Sequence, residues 1–203
     1  MSERETGRYE STSAGGEEVR AFVPHPLPPA DPPIVIEGEL ADGVRVAEQA
    51  LLRLELAGEM VPSLDWFIYA FVRKEAVLSS QIEGTQATLL DLLNYEVEHD
   101  APRPDPDVEE VCNYLDALVF AREHLADPSG LPLSMRLLNE MHRLLLRGVR
   151  GEDRQPGEVR RSQNWIGGSR PGNAVFVPPP PEDVLACMGQ LELFLNDRPE
   201  PTP

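Results

Sequence analysis

Positive charge is scarce in this chain: 18 lysines and arginines stand against 35 aspartates and glutamates, giving a formal net charge of −17. That balance argues against a nucleic-acid backbone or an anionic membrane as the main partner. Cysteine is nearly absent. Cys112 and Cys187 each fall on an apolar helical position, which argues against a disulfide framework and makes a reducing cytoplasm the expected setting. Histidine is equally thin, and His25, His99, His124 and His142 show no metal-ligand spacing among themselves or with the cysteines. No apolar run approaches the length of a bilayer span, and the start, Met1 to Glu5, lacks the basic-then-apolar pattern of a secretory signal. Glycine-rich phosphate loops and a serine in a nucleophile elbow are missing as well. On residue chemistry alone, a soluble, cytoplasmic and mostly helical chain is expected, without a convincing active site.

What is present is organised as helices. The length of 203 residues, 41% of them hydrophobic, suits one ordinary domain or a small domain with part of another. Residues 1–21 are polar and poor in large apolar groups, so a disordered tail is expected there. Phe22 to Pro29 reads as an extended, proline-bearing strap. Leu40, Val44, Ala47, Leu51 and Leu54 predict an amphipathic helix, and Leu64, Phe67, Ile68, Phe71, Leu78 and Ile82 predict an aromatic-rich one. A proline-rich break at 100–107 marks a seam. After it, Asp105 as N-cap and Pro106 at the first helical position start a helix carried by Val108, Val111, Leu115 and Leu118. Ser134 caps the next, through Leu137, Leu138, Met141, Leu144 and Leu145, and Gly148 ends it. Ala174, Val175, Phe176 and Val177 form a short strand, expected in a small hairpin, before a last helix with Val184, Met188, Leu191 and Leu195.

The stretch Ser79-Ser80-Gln81-Ile82-Glu83-Gly84-Thr85 stands out. Gly84 is the natural stop for the aromatic helix, and Thr85 is placed to cap a following one. Glu83 then lies in a last helical turn, facing unpaired carbonyls at a cost of about 0.3–1 kcal/mol. Two readings stay open: a solvated acid in a helix corner, or a carboxylate placed for use. A second pair of alternatives attaches to Arg154, Arg160, Arg161 and Arg170, either a local basic patch or loop charges offsetting nearby acids.

Three stretches together resemble the Fic family, enzymes that transfer AMP or a related phosphate group to protein hydroxyls. They are Phe22 to Pro29 with the helices up to Glu83-Gly84, the run Pro156 to Gly168, and Val175 to Pro181. The resemblance implies a mainly α fold: a helical Fic N-terminal domain over 22–100 with an inhibitory helix, and over 101–203 the first part of a Fic core with a β-hairpin flap. Ser79, Glu83 and Gly84 are similar to the family's inhibitory motif, in which the glutamate occupies an active-site arginine that would otherwise hold a phosphate of ATP. Ser79, one turn before Glu83, is expected to help set that carboxylate. Ala174, Val175, Phe176 and Val177 are similar to the flap that holds a target segment by strand addition.

The family's catalytic signature, H-P-F-x-[DE]-G-N-G-R, occurs nowhere in these residues. The expectation is therefore the N-terminal portion of a Fic-type adenylyltransferase, inactive alone, whose intact form uses ATP and Mg²⁺. The alternative is a non-enzymatic module acting on a separate Fic catalytic chain. Expected partners are a protein substrate or a Fic catalytic portion, with a homodimer left open.

Overall fold

The structure, a computed structural model, describes residues 4–97 and 105–197, without the side chains of Leu64 and Asp65. His99, most of the proline seam and the final proline-rich residues lie outside that description. The fold is mainly α, with six helices and one two-stranded sheet among the described residues. None of these helices is long and apolar enough to cross a membrane. The chain divides into two compact units interleaved in sequence. One comprises Val35–Pro128 and Glu140–Pro156; the other comprises Met1–Ile34, Ser129–Asn139 and Gly157–Pro203.

The first unit is helical. It holds α1 (Gly38–Glu59), α2 (Leu64–Ile82), α3 (Leu89–Val97), α4 (Pro106–Ala126) and, from Glu140 on, the later part of α5 (Met135–Leu145). The Asp105 side chain accepts from the Asp107 N–H at 2.9 Å, with Pro106 at the first helical position, as the sequence predicts. The core is Ala76 and Val77 of α2, Ala87, Leu92 of α3, and Val108, Val111 and Leu115 of α4. Leu92 and Val111 are fully buried.

Helix α2 buries a different face from the one its large residues mark. Val72, Ala76 and Val77 pack inward, whereas Phe67, Phe71, Leu78 and Ile82 remain exposed, Phe71 by 60% and Ile82 by 85%. The small face lets α2 approach α3 and α4 closely. A polar clasp adds to it: Arg73 grips Glu96 of α3 through Nε and Nη2 at 2.7–3.0 Å, while the Tyr69 hydroxyl donates to Glu96 at 2.7 Å. The guanidinium lies 3.3 Å from the centre of the Tyr69 ring. Burial works against both charges, but the mutual hydrogen bonds outweigh it, holding Arg73 above and Glu96 below their ordinary values.

The cap of α3 is also displaced from expectation. Thr88, not Thr85, caps it: Thr88 Oγ1 accepts from Asp91 N–H at 3.2 Å, and Asp91 Oδ2 accepts from Thr88 N–H at 3.0 Å. The box is reciprocal because Asp91, three residues on, returns a carboxylate oxygen to the Thr88 N–H. Thr85 instead is 2% exposed, and its Oγ1 has no hydrogen-bond partner among the described residues.

In the second unit the sequence expectation of a disordered tail at 1–21 is overturned. Residues Gly7–Ala14 (β1) and Glu17–Pro24 (β2) form an antiparallel hairpin. Its two-residue loop is Gly15-Gly16, both at positive φ (58° and 84°), as a tight hairpin turn requires. Ala14, Val19 and Ala21 alternate onto one face and bury against Val177. The opposite face is mostly exposed apart from Phe22, which packs edge-on against Tyr9; a search for large apolar residues misses the buried face. In the same unit, Ser134 Oγ accepts from the Leu137 N–H at 3.3 Å, confirming the α5 cap, and α6 runs Pro181–Asn196.

The expected flap hairpin contracts to one antiparallel bridge between Phe176 and Ile166. Pro178 removes the next donor, and Gly167 and Gly168 at φ 68° and 75° turn the partner segment away.

Candidate functional site

A cleft of about 420 Å³ opens at the C-terminal end of α2, within the helical unit. Ser79, Ser80 and Glu83 line one side, Glu110 and Tyr114 of α4 another, and Leu145, Leu146, Val149 and Arg150 the third.

Glu83 is the C-cap of α2, and Gly84 follows in the left-handed region at φ 101°. Thr85 N–H reaches back to Ser80 O at 3.1 Å and Gly84 N–H to Gln81 O at 3.1 Å. This pair of bonds is a Schellman motif, which satisfies carbonyls that the helix end leaves orphaned. No atom lies within 4 Å of where a Cβ at Gly84 would sit, so backbone conformation alone demands glycine there. The segment beyond is pinned by Gln81 Nε2 donating to Ala87 O at 2.9 Å and Gln86 N–H donating to Asp107 Oδ2 at 2.5 Å. Glu83 thus projects from a fixed helix end. Its carboxylate is exposed, with no hydrogen bond or ion pair among the described residues.

Ser79 does not set that carboxylate. Its hydroxyl turns back one helical turn and donates to Glu75 at 2.9 Å.

The far side of the cleft is tied to α4. Asn113, buried, donates to Arg147 O at 2.7 Å; Arg147 pairs with Asp116 at 2.8 Å; Arg150 forks onto Glu110 through Nε at 2.7 Å and Nη2 at 2.9 Å. The hydrogen bonds to Glu110 hold Arg150 further above its ordinary value. Glu110 and Arg150 went unnoticed in the sequence because no local pattern links residues forty positions apart.

Other candidates resolve into structural roles. Arg161 pairs with Glu158, Arg154 with Asp153, and Arg170 with Glu17. Arg160 donates to the carbonyls of Ser162 and Pro179. The arginines are therefore engaged one by one, Arg154 and Arg161 with near neighbours and Arg160 and Arg170 with more distant segments. Burial pushes the Cys112 thiol up to about 11, with Asp116 adding to the shift, so it is no activated thiolate. Among the described residues no three His, Cys, Asp or Glu side chains come together as a metal site. In the flap segment, Phe176 exchanges hydrogen bonds with Ile166, while Val177 O accepts from Phe22 N–H of β2 at 2.8 Å. Both flanks of Ala174–Val177 are thus partly occupied, which limits strand addition along it.

Residues 42–123 match the sequence model of the Fic/DOC family N-terminal region. That segment is similar to the Fic N-terminal region. No curated protein matches the chain.

The Fic N-terminal region covers α1 from Asp42, all of α2 and α3, and α4 to Glu123. Ser79, Glu83, Gly84, Glu110 and Tyr114 therefore lie inside it, and Leu145, Leu146, Val149 and Arg150 outside.

Proposed function

We propose that these residues are the regulatory portion of a Fic-type protein adenylyltransferase, with Glu83 as the inhibitory carboxylate. The observation that carries this reading is the unengaged Glu83 carboxylate, held at a fixed helix end inside the family-matched segment. A carboxylate so placed attracts a guanidinium and binds it bidentately. An arginine of a catalytic loop held there is no longer available to a phosphate of ATP. The arginine and the histidine base belong to the signature H-P-F-x-[DE]-G-N-G-R, which these 203 residues do not contain. AMP transfer accordingly needs a catalytic portion outside them, on the same polypeptide or a separate one.

ATP and Mg²⁺ are assigned to that portion too. The cleft offers two carboxylates and one arginine already bound to one of them, a donor set that does not fit a triphosphate. No step of the reading runs through nucleotide bound to these residues.

The test adds the purified chain to a Fic catalytic chain bearing the signature and measures AMP transfer from ATP with Mg²⁺. The wild-type chain lowers the rate, and Glu83→Gln does so much less. Equal inhibition by both, or none by either, overturns the assignment of Glu83.

A further inference from the structure

The cleft contains its own arginine, and that is a hazard for an inhibitory glutamate. Arg150 and Glu83 line the same cleft of about 420 Å³. A free guanidinium there would be drawn to the unengaged carboxylate and neutralise it. Two N–H donors of Arg150 are instead spent on Glu110, whose side chain is only 20% exposed while that of Arg150 is 68% exposed. The less exposed partner thus holds the more exposed one. Glu110 stands on α4, in the turn that also bears Asn113, whose amide holds the backbone at Arg147. The segment carrying Arg150 is therefore stapled to α4 at both its main chain and its side chain.

We propose that Glu110 is a positioning residue that sequesters Arg150, keeping Glu83 free for an arginine supplied from outside the cleft. The regulatory consequence rests on the inhibitory reading of Glu83; the sequestration does not. Removing the Glu110 charge releases Arg150, which then occupies Glu83 from within the chain and weakens inhibition. Three charged groups, two acidic and one basic, thus form a selector with two outcomes. With Arg150 on Glu110, the site is open to an external guanidinium. With Arg150 on Glu83, it is closed.

Side-chain NMR of the full chain with ¹⁵N-labelled arginine reads the first part. In the wild type, the Arg150 Nε–H shows contacts to the Glu110 side chain. In Glu110→Gln those contacts move to Glu83, and they vanish in Glu110→Gln/Glu83→Gln. Arg150 contacts that stay at position 110 or disperse to solvent in Glu110→Gln overturn the proposal. Should that variant fail to fold, Glu110→Asp, which shortens the fork without removing its charge, must move part of the contact intensity to Glu83, and no transfer has the same negative meaning. The second part uses the transferase assay. Glu110→Gln inhibits about two- to fivefold less strongly than wild type, the worth of one modest exposed ion pair, and Glu110→Gln/Arg150→Gln regains inhibition. If even the wild-type chain does not inhibit, the inhibitory reading fails, while the NMR result still decides the sequestration.

Discussion

Helices α2 and α4 carry apolar stripes of comparable length, yet they are held in place by different means. In α4 three of the four residues that mark the stripe, Val108, Val111 and Leu115, bury, and Leu118 is half-buried. In α2 most of the marked residues, Phe67, Phe71, Leu78 and Ile82, stay in solvent while Ile68 is half-buried, and the helix is secured by Val72, Ala76 and Val77, a polar clasp and a capped end. Periodicity therefore identifies a helix, but it does not say which face its neighbours choose. Close approach selects small residues, whereas a large aromatic face keeps other backbones away.

The contrast is sharpest in a pair of truncations followed by urea unfolding. Leu115→Ala should cost about 2–4 kcal/mol, because it removes buried volume from the core. Phe71→Ala removes a larger side chain and should cost less than about 1 kcal/mol, since that ring is already hydrated. Equal losses would erase the distinction between the two helices.

Next in size is the clasp. Arg73→Ala should cost about 1–3 kcal/mol by leaving Glu96, only 24% exposed, without its partner. Glu96 is held below its ordinary value in the folded state, so its contribution is complete above the unfolded-state value and fades as pH falls through the folded one. The stability gap between wild type and Arg73→Ala should therefore narrow in acid, below the ordinary carboxylate range. A gap that is constant from neutral pH to pH 3 would remove the clasp from the account of α2.

A smaller effect is expected at the helix end. Gly84→Ala should cost about 1 kcal/mol through the positive φ, and Gly84→Asn less, measured by thermal unfolding. Smallest is Thr85→Val, which should lie within about 0.5 kcal/mol of wild type or gain slightly, because the buried hydroxyl it removes has no hydrogen-bond partner among the described residues. A large loss would mean that Thr85 does help secure the end of α2.

Much of the helical pattern was legible because caps are local. Asp105-Pro106, Ser134 and Gly84 each announce themselves within a few residues, and each stands where the sequence predicts. The N-terminal hairpin was hidden by its own economy: Ala14, Val19 and Ala21 alternate correctly around Gly15-Gly16, but their side chains are too small to register as a core. The site was half legible. Glu83 was visible from its awkward place before a glycine, whereas Glu110 and Arg150 acquire meaning only when α4 and the segment after α5 meet across forty residues.

The Schellman end of α2 has a geometric consequence. Ser63 Oγ caps the start of α2 by accepting from the Trp66 N–H; because Gly84 stops the helix and Glu83 keeps helical dihedrals, the direction of the carboxylate is counted off from that cap along 19 helical residues. Each residue of a helix advances about 100° and 1.5 Å. Deleting a single exposed residue from α2 would swing Glu83 through more than a quarter turn and shorten its reach, with every side chain of the motif still present. The length of α2 is thus a form of address: it tells the carboxylate where to point, and no substitution at Glu83 can correct a miscount upstream.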